Sequence, residues 1–218
     1  MGIFSKLSRI SRARKLDMFE RIMNPTRQMK LLDVGAQIHP GNDRFKQLID
    51  IYPWKENISV INIAVEHIST IKEYYPEIEA VVGDACELPW PDKSFDIVYS
   101  NAVIEHLGSF EKQMKMAAEI MRVGKRWFVT TPNRWFPYEF HTRLPFFTLI
   151  PGNTYLRVGN ILSYNHLREK YMFGVKRNDL RLMTARELGK CFPGSNIIKQ
   201  RITFMAETLI AVAGDIAG

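Results

Sequence analysis

GDACELPWPDKSFDIVYSNAVIEHL, residues 83–107, joins an acidic turn to an apolar run and then to a polar strand end. Just upstream, Glu79 to Val82 reads as a short apolar strand closing on Gly83-Asp84. Pro89, Pro91 and Asp92-Lys93-Ser94 supply turn chemistry, and Phe95 to Ser100 reads as a second buried strand. Side chains at the carboxyl ends of parallel strands point into the crevice where α/β sheets bind ligands, so Asp84 and Asn101 are expected to face one crevice. From Ala102 the pattern shifts toward helical spacing and carries Glu105 and His106 just above it.

A second strand end lies upstream. Lys30 to Ala36 is apolar and closes on Asp33-Val34-Gly35, where a glycine lets backbone approach a ligand with no Cβ in the way. The spacing further predicts a helix over Phe45–Ile51, a strand over Ile58–Ile63 and a helix over Val65–Tyr75 stopped by Pro76. Phe110–Val123 reads as an amphipathic helix on Met114, Ala117, Ala118 and Met121, ended by Gly124, and Trp127–Thr130 as a fifth strand. Near the end, Thr184 caps a helix over Ala185–Cys191. Ile197–Phe204 and Glu207–Ala213 then flank a two-residue Met205-Ala206 connection, expected to be an antiparallel hairpin. Residues 131–182 break the alternation with aromatics and prolines, and an insertion of that length after a strand is expected to lie over the crevice as a lid.

A chain of 218 residues suits one well-buried α/β domain, here 1–218 with a basic helical leader over 1–27 and the inserted lid. Cys86 and Cys191 stand far apart with no CxxC or Cys/His cluster, which argues against a disulfide scaffold or metal site and for a reducing, cytoplasmic setting. No apolar run reaches bilayer length, and the start lacks a secretory core. The net charge is +7, and residues 1–30 hold eight basic side chains against two acidic ones, nearly the whole excess. Such a segment, with Ile3, Phe4, Leu7 and Ile10 at near-helical spacing, can sit peripherally on the inner membrane face. The plainer expectation is a helix that docks by Leu16, Phe19, Ile22 and Met23 and keeps its charges in water. The local charge and the lack of a recognised module argue against nucleic acid.

In succession, "LDVG" at 32–35, the 83–100 block and "IEHL" at 104–107 resemble class I S-adenosylmethionine-dependent methyltransferases, closest to their small-molecule branch. The likeness covers about residues 28–135. It implies a Rossmann-like α/β fold, a seven-stranded, mostly parallel sheet with an antiparallel terminal hairpin and helices on both faces. It implies S-adenosylmethionine as cofactor, held by Asp33, Gly35 and Ala36 at the methionine end, by Asp84 and Ala85 at adenine, and with Asn101 beside the sulfonium. The chain departs from the pattern twice. Gly35-Ala36-Gln37-Ile38-His39 stands where several glycines are usual, and the end of strand two offers Asn62, Ala64 and Glu66 where an acid usually holds the ribose. His106, His141 and Glu139 are the candidate bases, the last two beside Arg134 and Arg143 in a group suited to a carboxylate, phosphate or sugar. The expected activity is O- or N-methyl transfer to a small-molecule or lipid-linked acceptor: a sugar, glycan precursor or quinone-like ring. A nicotinamide oxidoreductase is disfavoured because the first turn lacks GxGxxG. A catalytically degenerate binding or scaffold protein on the same fold is the alternative, kept open by the two departures.

Overall fold

The computed structural model describes residues 3–42, 46–139, 144–145, 162–165, 170–173, 180–201 and 204–213, with backbone alone for 3–8, 138–139, 144–145, 162–165 and 170. Five apolar segments become parallel strands: β1 (Leu31–Val34), β2 (Ile58–Asn62), β3 (Glu79–Val82), β4 (Phe95–Asn101) and β5 (Gly124–Pro132). The two-stranded ribbons β6 (Tyr138–Glu139) with β7 (Leu144–Pro145), and β8 (Leu162–Asn165) with β9 (Lys170–Phe173), fall within 131–182. The last strands are β10 (Asn196–Arg201) and β11 (Ala206–Val212). They pair antiparallel to each other and to β5, giving a seven-stranded sheet in the order β10-β11-β5-β4-β1-β2-β3.

Period-two alternation divides each strand between two apolar layers. Leu31, Val60, Ile97, Tyr99 and Phe128 pack with Phe19 and Met23 of α1 (Ile3–Met23), Leu48 and Ile49 of α2 (Leu48–Ile51), and Ile68 and Ile71 of α3 (Val65–Tyr74). Leu32, Val34, Ile61, Val98 and Val129 pack on the other side with Met116, Ala117 and Ile120 of α4 (Phe110–Val123) and Leu188 and Cys191 of α5 (Ala185–Cys191). Strands buried on both faces this way read as largely apolar runs, which makes β1, β2, β4 and β5 legible; β3, at the sheet edge, is exposed at Glu79 and Val82. No described helix is long and apolar enough to cross a membrane.

Three local expectations are corrected. In α4 the buried face is Gln113, Met116, Ala117, Ile120 and Val123, while Met114 is 39% exposed. A glutamine heads the inner face because its amide is fully used: Nε2 donates to the carbonyls of Ile104 (3.1 Å) and Arg181 (2.8 Å), and Oε1 accepts from Arg181 (2.6 Å). The hairpin does not turn on Met205-Ala206: β10 ends at Arg201, and Ala206, already in β11, pairs with it. The third correction concerns the charges of α1, two of which leave water at the site.

The loop between β3 and β4 is pinned from below by one guanidinium. Arg122 donates to the carbonyls of Leu88 (2.9 Å) and Trp90 (2.8 Å) and to Asp92 (3.0 Å), and pairs with Glu119 (2.8 Å), whose carboxylate also accepts from the Leu88 N–H. That scaffold fixes the turn carrying Asp84 although the turn itself lies at the surface.

Candidate functional site

The order of the strands reverses beside β1: β2 and β3 extend to one side, and the chain then crosses to β4 and β5 on the other. The crevice outside the carboxyl ends of β1 and β4 is therefore the topological switch point, the place where open α/β sheets bind ligands. Gly35 follows β1 and Asn101 ends β4.

Gly35 holds φ +83°, and a Cβ there would lie 2.2 Å from Val103 Cγ2, so both conformation and space demand glycine. Its N–H donates to the Ile61 carbonyl at 2.8 Å, turning the loop toward β2. The bulkier residues that follow are accommodated by burial: Ala36 is 4% and Ile38 5% exposed, both in the core layer beneath. Asn62 spends its side-chain amide on this loop, donating to the Ala36 carbonyl (2.8 Å) and accepting from the Ala64 N–H (2.9 Å). Glu66 is exposed in the first turn of α3.

Beyond β2 and β3 the crevice is open. Asn62 pairs with Val82, so Ile63 and Gly83-Asp84 leave adjacent strand ends side by side. Ile63 is 73% exposed and Val82 46%. Asp84 is exposed, with one carboxylate oxygen accepting from the Cys86 N–H at 2.8 Å, an Asx turn; Ala85 is half-buried beside it. The turn and a ligand-facing carboxylate are compatible uses of the same residue.

The β4–β5 side is closed and charged. Asn101 Oδ1 accepts from Lys15 Nζ of α1 (2.9 Å) and from the Thr130 hydroxyl (2.8 Å). Burial holds Lys15 down to about 8, against the pull of Glu207 and Glu105, while Arg12 pushes the same way as burial. Glu105, wholly buried, accepts at Oε2 from the Thr131 hydroxyl (3.0 Å), and its Oε1 has no partner among the described residues. Glu207, also buried, accepts from the Ser11 hydroxyl, and burial raises its carboxyl above the usual range. Gln200 donates to Ser11 Oγ at 3.2 Å, so α1 is fastened to the terminal hairpin by polar groups, while Phe19 packs its ring on Tyr99 and Phe128 of β4 and β5. Arg12 is likewise partly withdrawn from water, with its pKa lowered chiefly by burial. These are the charges that the plainer reading of the leader left in solvent. Asp33 sits under the switch point, 3% exposed, and burial, reinforced by Asp50, pushes its carboxyl up to about 8.

His106 is half-buried in a 3-10 turn, Ile104–Leu107, with its N–H on the Val103 carbonyl at 2.9 Å. His141 and the side chain of Glu139 lie outside the described residues. Among the described residues no cluster of His, Cys, Asp and Glu could hold a metal. Sequence reading missed Lys15, Glu105 and Glu207 as a set, because each becomes part of the site only through contacts between distant segments.

Residues 34–127 match a protein-family model described as a methyltransferase domain. A probable S-adenosylmethionine-dependent methyltransferase of Mycobacterium tuberculosis is 36% identical over 76 residues, 33% of this chain and 28% of the relative. The match thus spans under a third of that relative's length. Among solved structures, a protein of Pyrococcus horikoshii OT3 superposes with a TM-score of 0.59 at 16% identity, covering 93% of this chain and 89% of the other. The Burkholderia thailandensis 1,6-didemethyltoxoflavin-N1-methyltransferase, solved with its substrate and S-adenosylhomocysteine, gives 0.52 at 14% identity, covering 94% and 78%. At these identities the structures establish the fold.

Proposed function

We propose that this chain, a class I methyltransferase by its matched segment and its sheet, transfers a methyl group from S-adenosylmethionine to a small-molecule or lipid-linked acceptor. The observation that carries the reading is the open β2–β3 side of the crevice. An apolar face left bare at Ile63, beside an exposed carboxylate at Asp84, suits a flat ring with an exocyclic amino group. Asp84 and the Ala85 backbone would hold adenine there. The Asp33-Val34-Gly35 turn, with Ala36, would hold the methionine end, where an ammonium favours ionisation of the buried Asp33. Asn62 is fixed to the loop by its own amide, and offers the ribose at most its remaining hydrogen-bonding capacity.

When bound, the donor supplies an electrophilic methyl on a positively charged sulfur. The protein's part is to hold donor and acceptor in line and to exclude water. The β4–β5 side serves the acceptor: Asn101 is fixed by Lys15 and Thr130, and Oε1 of Glu105, without a partner among the described residues, joins His106 as a group able to receive an acceptor proton. Glu139 and His141 remain assigned to the lid on sequence grounds. Sugars, glycan precursors and quinone-like rings are the acceptor classes favoured by an aromatic, arginine-bearing lid.

The test is transfer of labelled methyl from S-adenosylmethionine to a panel of sugars, lipid-linked glycan precursors and quinols, resolved by extraction into aqueous and organic fractions. Label entering one class supports the reading and selects the acceptor. A protein that binds the donor yet labels nothing in the panel favours a degenerate binding or scaffold role, a reading supported by the Val103 side chain packed against Gly35 and the committed amide of Asn62.

A further inference from the structure

Lys15 is half-buried at the β4 end of the crevice, and its part in fixing Asn101 requires no charge. Among the described residues its hydrogen bond goes to a neutral amide oxygen, Asn101 Oδ1 at 2.9 Å, on the strand that borders the switch point. The charged groups that face it are Glu207 from β11, Glu105 from the turn after β4 and Arg12 from α1 itself. Each carboxylate already has another donor: Ser11 on Glu207 and Thr131 on Glu105. The ammonium is therefore hydrogen-bonded to an amide and not to a carboxylate, at the strand end that the donor reading sets beside the sulfur.

Donor and product differ there by one charge. The sulfonium is a fixed cation, whereas the thioether left after transfer is neutral, and the adenosine and amino-acid ends are the same in both. We infer that Lys15 sets the preference of the crevice between the two, its ammonium beside Asn101 disfavouring the sulfonium and sparing the thioether. The inference rests on the donor reading of this site. Helix α1 then adds a selectivity that the β1–β3 motifs do not contain: while Lys15 is charged, product is favoured over donor, and the bias disappears when the charge does. Burial brings the loss of that charge to about pH 8, so the bias belongs to neutral and acidic conditions and fades above them.

Calorimetric titration with S-adenosylmethionine and S-adenosylhomocysteine tests this on the full chain, at about pH 6.5 and about pH 9.5, with wild type, Lys15→Met and Lys15→Arg. The quantity read is the ratio of product to donor affinity. In the wild type the ratio falls by about tenfold between the lower and the higher pH. Lys15→Met shows the low ratio at both, and Lys15→Arg the high ratio at both. A structural role for Lys15 would weaken both ligands together and leave the ratio unmoved. Equal ratios in wild type and Lys15→Met at the lower pH overturn the inference. Should Lys15→Met fail to fold, a wild-type ratio that is flat with pH overturns it. No binding of either ligand by any form refutes the donor reading itself, and this inference with it; binding of both with an unmoved ratio refutes the inference alone.

Discussion

The two sides of the crevice are built differently. On the β2–β3 side the turns at the two strand ends are closed by near neighbours, Asn62 to Ala64 and Asp84 to Cys86, each two residues apart, and Ile63, Val82 and Asp84 beside them are exposed. On the β4–β5 side Lys15 reaches Asn101 across 86 residues at a half-buried contact, and Ser11 reaches Glu207 across 196 at a buried one. The first side is a surface shaped by local turns and left open for a ligand. The second is a closed polar cluster in which a basic helix is made compatible with the sheet, its charges desolvated and partly compensated.

Gly35→Ala is the largest predicted disruption, because it introduces both a left-handed non-glycine residue and a clash with Val103. It should cost about 4 kcal/mol in chemical denaturation. Val103→Ala in the same chain should restore the packing part and leave the backbone part. A midpoint unchanged by Gly35→Ala would mean that the switch-point turn is not as tight as described.

Asp84→Ala sharpens the contrast by touching only the open side. Donor affinity should fall by about fiftyfold, the loss of a charge-assisted hydrogen bond, with the thermal midpoint almost unchanged. A mutant that unfolds, or that binds as well as the wild type, would remove the distinction between an open binding side and a closed structural one.

Two titrations probe the buried groups. Asp33, its folded pKa raised to about 8, stabilises fully below its unfolded value near 4, and that contribution is lost as pH rises through 8. Lys15 works in the opposite window: its folded pKa is lowered to about 8, the unfolded chain holds the proton longer, and stability rises between about pH 8 and about pH 10.5. Together these groups predict a trough in stability near pH 8, measurable by denaturation midpoints. Asp33→Asn should flatten the acid limb and Lys15→Met the alkaline one. A profile unchanged by both substitutions would show that neither group is buried as charged.

The smallest effect concerns the start of α1. Residues 9–15 include groups fastened to the sheet and hairpin, whereas Ile10 is already 41% exposed. Removing residues 1–8 should reduce cosedimentation with anionic vesicles by about fivefold and leave donor affinity alone. Undiminished vesicle binding would dispose of a peripheral membrane role for this segment.

The difference between the two sides also explains what the sequence disclosed. β4 and α5 could be read because a strand buried on both faces is largely apolar and Thr184 forms a capping box with Glu187. Asp84 and Gly35 stood out because a turn or a strand end announces itself within a few residues. The inner face of α4 was misjudged by one register, since a buried glutamine mimics an exposed position until its partners Ile104 and Arg181 are known. Lys15 looked like one charge among eight in a basic leader, and nothing within ten residues of it signals that its ammonium ends on Asn101. Long-range polar burial leaves no periodicity to read.

The most direct test of the account is calorimetric titration of the full chain with S-adenosylmethionine, with Asp84→Ala as the control. Micromolar binding that weakens by about fiftyfold in a folded Asp84→Ala protein is the predicted result and places the donor on the open side of the switch point. Absence of binding by the wild type at millimolar donor, or equal binding by both forms, would contradict it.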